Sequence, residues 1–273
     1  MPRRLTLIAG SGALVPIMAA AARRNGDALQ VIDLVNRGDI DGDTVEHLTL
    51  AQAPALLAAV KTFRTSHAVL AGAVHISDAD REGLVSAFGF AGKVARVAGD
   101  IGIASMILLF CRMNRIKLIG AHEIAPELLA PDGHIAGPPL DPSLTQSAQI
   151  AIDAARAIGR IDLGQSVLVS GNRPVAAEDT QGTDALLARA MALRAAGLIG
   201  NSGLPLILAK AKKPKQPSFV DLPAIGVQTV ISASEAGIGI IVVEAKATLL
   251  IDRAGIEREA AARGVTIVGR QHG

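Results

Sequence analysis

Aromatic residues are nearly missing from this chain. It has no Tyr, no Trp and five Phe among 273 residues. Single-stranded nucleic acid is held largely by stacking on aromatic rings, so that class of partner loses its main support. The formal net charge of +2 is too near neutral to imply a polyanion partner. The one cysteine, Cys111, permits no intramolecular disulfide and fits a reducing cytoplasm. It lies in the apolar run MILLFCRM and reads as a core residue. No stretch approaches the roughly 18 apolar residues of a membrane span, so any membrane contact is expected to be peripheral. The start, MPRRLTLIAGSG, has too short an apolar run for a signal peptide. GxSxG, HExxH and P-loop patterns are lacking, and His67, His75, His122 and His134 are not spaced as a zinc pair.

What is present is aliphatic: half of the residues are hydrophobic. In the first half, apolar runs at 5–9, 29–34, 67–73 and 117–120 alternate with helical patterns at 14–24, 53–62, 78–88 and 102–114. That alternation predicts an α/β fold with a parallel sheet covered on both faces. A Pro- and Gly-rich stretch, 130–142, predicts a boundary. An N-terminal domain over 1–140, a connecting helix within 141–162 and a C-terminal α/β domain over 163–273 are expected. In the last of these, strands are expected at 166–170, 204–209, 238–243 and 265–268. Helices are expected at 185–196, 228–236 and 253–263, with Asp252 as N-cap and Gly237 and Gly264 as terminators.

Four groups could carry chemistry. Lys210, Lys212, Lys213 and Lys215 crowd together shortly before Asp221. Cations beside a placed carboxylate suit a phosphate ester, while a solvated turn followed by a helix cap is the plainer reading. Gly10-Ser11-Gly12 joins a strand to a helix, where backbone N–H groups can hold a phosphate. Asp33 follows about 20 residues later, near the spacing of a ribose-binding acid, but Val15 stands in place of the third glycine. An ordinary tight turn is equally open. Glu178, Asp179 and Asp184 surround Gly182-Thr183; they could ligate Mg²⁺ or simply cap a helix. His122-Glu123 ends a strand at the carboxyl edge of the first sheet, where ligands gather.

Taken in order, IAGSGALVP (8–16), GAHEIAPELLAPDG (120–133), RAIGRIDLGQSVLV (156–169), EDTQGTDALLARA (178–190), KAKKP (210–214), DLPAIGVQTV (221–230) and VVEAKATLLIDR (242–253) resemble one family. It is the UDP-2,3-diacylglucosamine pyrophosphatases of the lipid A pathway, of the type unrelated to calcineurin-like phosphoesterases. The resemblance implies a Rossmann-like N-terminal lobe, a mixed α/β C-terminal catalytic lobe and substrate between them. It also implies a Mg²⁺-dependent hydrolase that converts UDP-2,3-diacylglucosamine to UMP and 2,3-diacylglucosamine 1-phosphate (lipid X). Such an enzyme would be a homodimer at the cytoplasmic side of a Gram-negative inner membrane.

Asp221 matches the family's essential carboxylate, and Asp184, Lys210 and Lys213 match further site positions. The expected site is then Asp221 and Asp184 for metal and catalysis and Lys210 and Lys213 for phosphate charge. Gly10, Ser11, Gly12, Thr183, Glu178 and His122 are the expected substrate contacts. The chain departs from the family pattern at Gln181, Pro217, Phe219, Ala73, Ile76 and Ile101, mostly by loss of charge. A non-catalytic nucleotide-sugar or lipid-phosphate binding protein and an NAD-dependent oxidoreductase are the rival readings.

Overall fold

The computed structural model describes residues 2–74, 80, 82–83, 108–200, 203–214 and 222–272. The chain forms two compact units, Met1–Pro126 and Glu127–Gly273.

In the first unit, β1 (Arg4–Ala9), β2 (Ala28–Asp33), β3 (Thr44–His47), β4 (His67–Ala71) and β5 (Lys117–Ile119) form one parallel sheet in the order β3-β2-β1-β4-β5. The order in which strands are added reverses between β1 and β4, the switch point at which open α/β sheets bind ligands. Helix α1 (Leu14–Arg24) follows β1, and α2 (Ala53–Thr62) precedes β4. Both cover the residues expected from the sequence, since their apolar positions recur at helical spacing and Pro falls in the first turn of each. Residues 108–113 are helical, and Cys111 there is buried with Ile32, Val60 and Ile116. Burial pushes its thiol pKa up, which agrees with a core role. The expected helix over 78–88 lies mostly outside the described residues, as does the first half of that over 102–114. A four-residue helix, α3 (Ala121–Ile124), follows β5.

The second unit is built on a six-stranded mixed sheet. Its strands are β6 (Gly133–Ala136), β7 (Ser166–Ser170), β8 (Arg173–Ala177), β9 (Leu206–Lys210), β11 (Ile238–Glu244) and β13 (Thr266–Arg270). They run in the order β6-β13-β11-β9-β7-β8, with β13, β11 and β9 parallel. Two short strands, β10 (Ala224–Gly226) and β12 (Leu249–Ile251), pair beside it. Helix α4 (Thr145–Arg160) packs Ala148, Ile152 and Ala155 against Val167, Ile207 and Val242 on one face. Helices α5 (Gly182–Ala195), α6 (Val227–Glu235) and α7 (Arg253–Arg263) cover the other, where Leu187, Val230 and Ile256 meet Leu168, Leu208 and Val243. Asp252 caps α7 through the Gly255 amide at 3.1 Å, and Gly264 ends it at φ 66°, as expected.

The unit boundary differs from the one expected at residue 140. Residues 127–140 belong to the second unit, because β6 adds antiparallel to β13 and Leu129 bridges Leu249. Helix α4 is not a free connector: its apolar face is buried on the sheet.

Candidate functional site

In the second unit, Lys210, Glu244 and Arg270 end the three parallel strands, so they share one edge of the sheet. Ser166 opens the antiparallel β7 opposite Lys210, and the Glu178 amide donates to Ser166 O at 2.9 Å. Side chains alternate across a strand, so Lys210 follows Leu206 and Leu208 toward the α5 face. There its ammonium donates to Thr183 Oγ1 at 3.0 Å. Thr183 in turn donates to Glu178 Oε2 at 2.8 Å. With that proton committed, Ser166 Oγ is the donor in its 3.2 Å contact with Thr183. Lys210 and Glu178 are each 8% exposed, so this is a nearly dry cation–hydroxyl–carboxylate array. Buried ionic groups persist only when bonded in this way.

Thr183 therefore does not cap α5. The N-cap is Gln181, without a side-chain cap bond. The turn before the helix is held instead by Asp179, whose Oδ1 accepts from the Gln181 amide at 2.8 Å. Asp184 is exposed in the first turn, where a carboxylate complements the helix dipole. Asp179, Gln181 and Arg189 line a cavity of about 150 Å³. Small-molecule pockets run from about 300 Å³ upward, so this hollow alone holds no nucleotide sugar. Lys213 Nζ donates to Asp162 Oδ1 at 2.8 Å, with Asp162 largely exposed. Such a pair is worth little, so Lys213 can exchange Asp162 for a phosphate at small cost. Asp221 and Lys215 lie outside the described residues, as do Pro217 and Phe219.

In the first unit, the Gly10–Gly12 loop sits at the switch point, but two of its amides are already used. Gly10 N donates to Ala71 O at 2.8 Å and Ser11 N to Ala73 O at 2.8 Å. The approach is close enough that a Cβ on Gly10 would lie 2.4 Å from the Ala73 carbonyl oxygen. Arg37 holds the loop from the other side, donating from Nη1 to Gly12 O at 2.8 Å and Gly10 O at 3.2 Å. Gly10 and Ser11 thus build the loop rather than offering amides to a phosphate. Asp33 accepts from the Val35 and Arg37 amides at 3.1 and 2.7 Å, lies 3.2 Å from His47 Nδ1 and is buried. Both of its oxygens are thus engaged by groups within the unit. His122 lies in α3 with Nδ1 buried and unbonded among the described residues. Its neighbour Glu123 accepts from the Gly120 amide at 3.0 Å and from Lys117 Nζ at 3.3 Å. Burial opposes ionisation of Glu123, but these two donors outweigh it and hold its pKa below the usual value.

Both units match domain models of one family: the LpxI N-terminal domain over residues 4–128 and the LpxI C-terminal domain over residues 131–268. A relative from Caulobacter vibrioides, named UDP-2,3-diacylglucosamine pyrophosphatase LpxI, is 32% identical over 275 residues, covering 98% of this chain and 97% of its own. The chain belongs to the LpxI family. The resemblance seen in its ordered motifs holds across both domains of the LpxI pattern.

Of the expected site residues in this LpxI chain, the structure brings Glu178, Thr183 and Lys210 into one cluster, with Asp184 exposed one residue after Thr183. Lys213 lies further along the segment leaving β9. Gly10, Ser11, Gly12 and His122 belong to the first unit. Ser166, Arg37 and Glu244 were not singled out from the sequence. Glu244 carried one signal, an acid ending an otherwise apolar strand.

Proposed function

We propose that this chain hydrolyses the pyrophosphate of UDP-2,3-diacylglucosamine, releasing UMP and 2,3-diacylglucosamine 1-phosphate in lipid A biosynthesis. The observation that carries this reading is kinship over nearly the whole of both chains to a relative bearing that activity in its name. The site geometry supports it. Splitting a diphosphate requires charge on the transferring phosphoryl group to be neutralised and a water to be aligned. Water forms a bond to one phosphorus and gives up a proton to solvent, while the bond from that phosphorus to the bridging oxygen breaks and the oxygen leaves with the other phosphate. Lys210, fixed by Thr183 in a nearly dry setting, is preorganised to meet developing negative charge. Lys213 adds a second cation after giving up Asp162. Asp221 orients the attacking water.

Mg²⁺ belongs to the same proposal. It takes one or two carboxylates plus substrate phosphates rather than a full protein cage. Among the described residues no group of three His, Cys, Asp or Glu could hold a metal, and Asp184 is an exposed, reachable carboxylate. The exposure of Asp184 supports an ion shared with substrate, and Asp184 and Asp221 would be its protein ligands. When bound, the ion would supply Lewis-acid neutralisation of phosphate oxygens. Peripheral contact with the cytoplasmic face of the inner membrane follows from a diacylated substrate, and a homodimer from the family resemblance. Among the described residues no helix is long and apolar enough to cross a membrane.

UMP release from UDP-2,3-diacylglucosamine, with Mg²⁺ and with excess EDTA, is the test. Turnover is expected only with the metal, and Asp221→Ala is expected to lose nearly all of it while keeping its fold. No UMP from the wild-type chain would favour a binding protein, which the loss of charge at Gln181 would suit. Near-normal turnover by Asp221→Ala would remove that residue from the mechanism.

A further inference from the structure

The segment Ala211–Pro214 leaves the sheet edge directly after Lys210, and several contacts fix its path. The Ala211 amide donates to Gln165 O at 2.9 Å. The Lys212 amide donates to Glu244 Oε2 at 2.8 Å. A Cβ on Gly159 would lie 3.2 Å from Lys213 Cα and 3.3 Å from Pro214 Cδ, so the end of α4 touches the segment almost backbone to backbone.

Glu244 is the unusual member of this set. It is 5% exposed and ends a strand whose other six residues are Ile, Gly and Val. It lies two residues past Val242, so it shares the α4 face of the sheet. There Arg156 Nη1 bonds its Oε1, and His272 Nδ1 lies 3.6 Å from the same oxygen. Arg270, its register partner on β13, shares that face. Lys210 points to the opposite face, toward Thr183. The Glu244 carboxylate therefore meets the lysine segment through main chain, not through the Lys210 ammonium.

Burying a carboxylate is costly, and one backbone amide could be satisfied by a neutral acceptor. What the charged pair adds is a fixed direction: Arg156 locks one oxygen, so the other is held on the Lys212 amide. The stretch so held carries Lys210 on one side and Lys213 on the other.

We propose that Glu244 is a positioning residue for the phosphate-binding lysines, acting through the Lys212 amide and locked in place by Arg156. This rests on the hydrolase reading above. Lysines that meet charge in the transition state act on kcat, and a displacement of about 1 Å can cost 100-fold in rate.

The experiment compares steady-state UMP release by the wild-type chain, Glu244→Ala and the double variant Glu244→Gln/Arg156→Met, each checked for folding by far-UV circular dichroism at the assay temperature. Glu244→Ala should lose kcat at least about tenfold with KM within about twofold. The double variant keeps an oxygen for the Lys212 amide and removes both members of the Glu244–Arg156 pair together, so its kcat should return to within about threefold of wild type. Wild-type kcat in a folded Glu244→Ala chain overturns the proposal, and so does a folded double variant as slow as Glu244→Ala. If Glu244→Ala does not fold, the double variant decides alone by the same criterion. Failure of both to fold assigns Glu244 a purely structural role and also overturns it. A wild-type chain that releases no UMP instead refutes the hydrolase reading, and this inference with it.

Discussion

Replacing Thr183 by Val tests whether its hydroxyl is the keystone of the buried array or an ordinary helix-end group. The methyl is kept and the oxygen is lost. That oxygen donates to Glu178 at 2.8 Å and accepts from Lys210 at 3.0 Å. Both partners are 8% exposed, so water replaces the lost bonds poorly. A hydrogen bond to a charged group contributes about 1.5–3 kcal/mol, and two such bonds are removed together with the longer 3.2 Å bond from Ser166. Allowing for local relaxation, the loss should be about 3 kcal/mol. A residue that merely capped α5 would cost about 1 kcal/mol. The chain has no Tyr or Trp, so urea unfolding of the second unit is best followed by far-UV circular dichroism. Thr183→Ser keeps the oxygen and should recover most of the loss. Because Lys210 and Thr183 share one bond, Thr183→Val and Lys210→Met should be non-additive by about 1 kcal/mol or more. A loss of 1 kcal/mol or less for Thr183→Val, with Ser no better and the pair additive, would refute the reasoning.

Two further outcomes concern the first unit. Gly10→Ala places a Cβ 2.4 Å from Ala73 O and must open the Ser11–Ala73 bridge. It should destabilise that unit by about 2 kcal/mol or more in thermal or urea unfolding. His67 is half-buried, and burial first, then the Arg3 and Lys117 charges, lower its pKa below the ordinary 6.5, against a smaller pull from Asp27 and Glu123. The unfolded chain then binds the extra proton more readily, so this contribution is complete above about pH 6.5 and is lost as pH falls through the folded pKa. His67→Gln should flatten the stability profile as pH falls below about 6.5; an unchanged slope would exclude His67 as its source.

The longer elements were legible because their periodicity and caps agree. Helices 14–24, 53–62 and 253–263 and strand 166–170 match residue for residue. The strands not foreseen, such as Thr44–His47, Gly133–Ala136 and Leu249–Ile251, are too short for alternation to show. Gly133–Ala136 is also embedded in prolines, which an edge strand tolerates and an isolated sequence reads as a linker. Its pairing with β13, far along the chain, is what moves the unit boundary. At the site, residue types were legible and partners were not. Glu178, Thr183 and Lys210 could be named, but helix capping and ligand binding stayed open for Thr183 until its hydroxyl was seen between the other two. Arg37 left no trace in sequence because it binds main-chain carbonyls of a distant loop.

Asp33 and Glu244 show why spacing alone misplaces acids in such folds. Each ends a strand that is otherwise largely apolar, and each is nearly fully buried. A carboxylate there has lost its water and must find donors within reach. The nearest unpaired donors are the amides of chain just leaving a strand end, because ladder bonding stops there. Asp33 takes the amides of Val35 and Arg37, directly downstream of its own strand. Glu244 takes the Lys212 amide, downstream of the neighbouring strand. The first loop carries Arg37 onto the glycine turn, and the second carries the lysines. In each unit a strand-end acid holds chain that is leaving the sheet: Asp33, whose spacing suggested a ribose ligand, holds the loop of Arg37, and Glu244 holds the amide of Lys212. Asp184, by contrast, stands exposed in the first turn of α5 and belongs to no strand end.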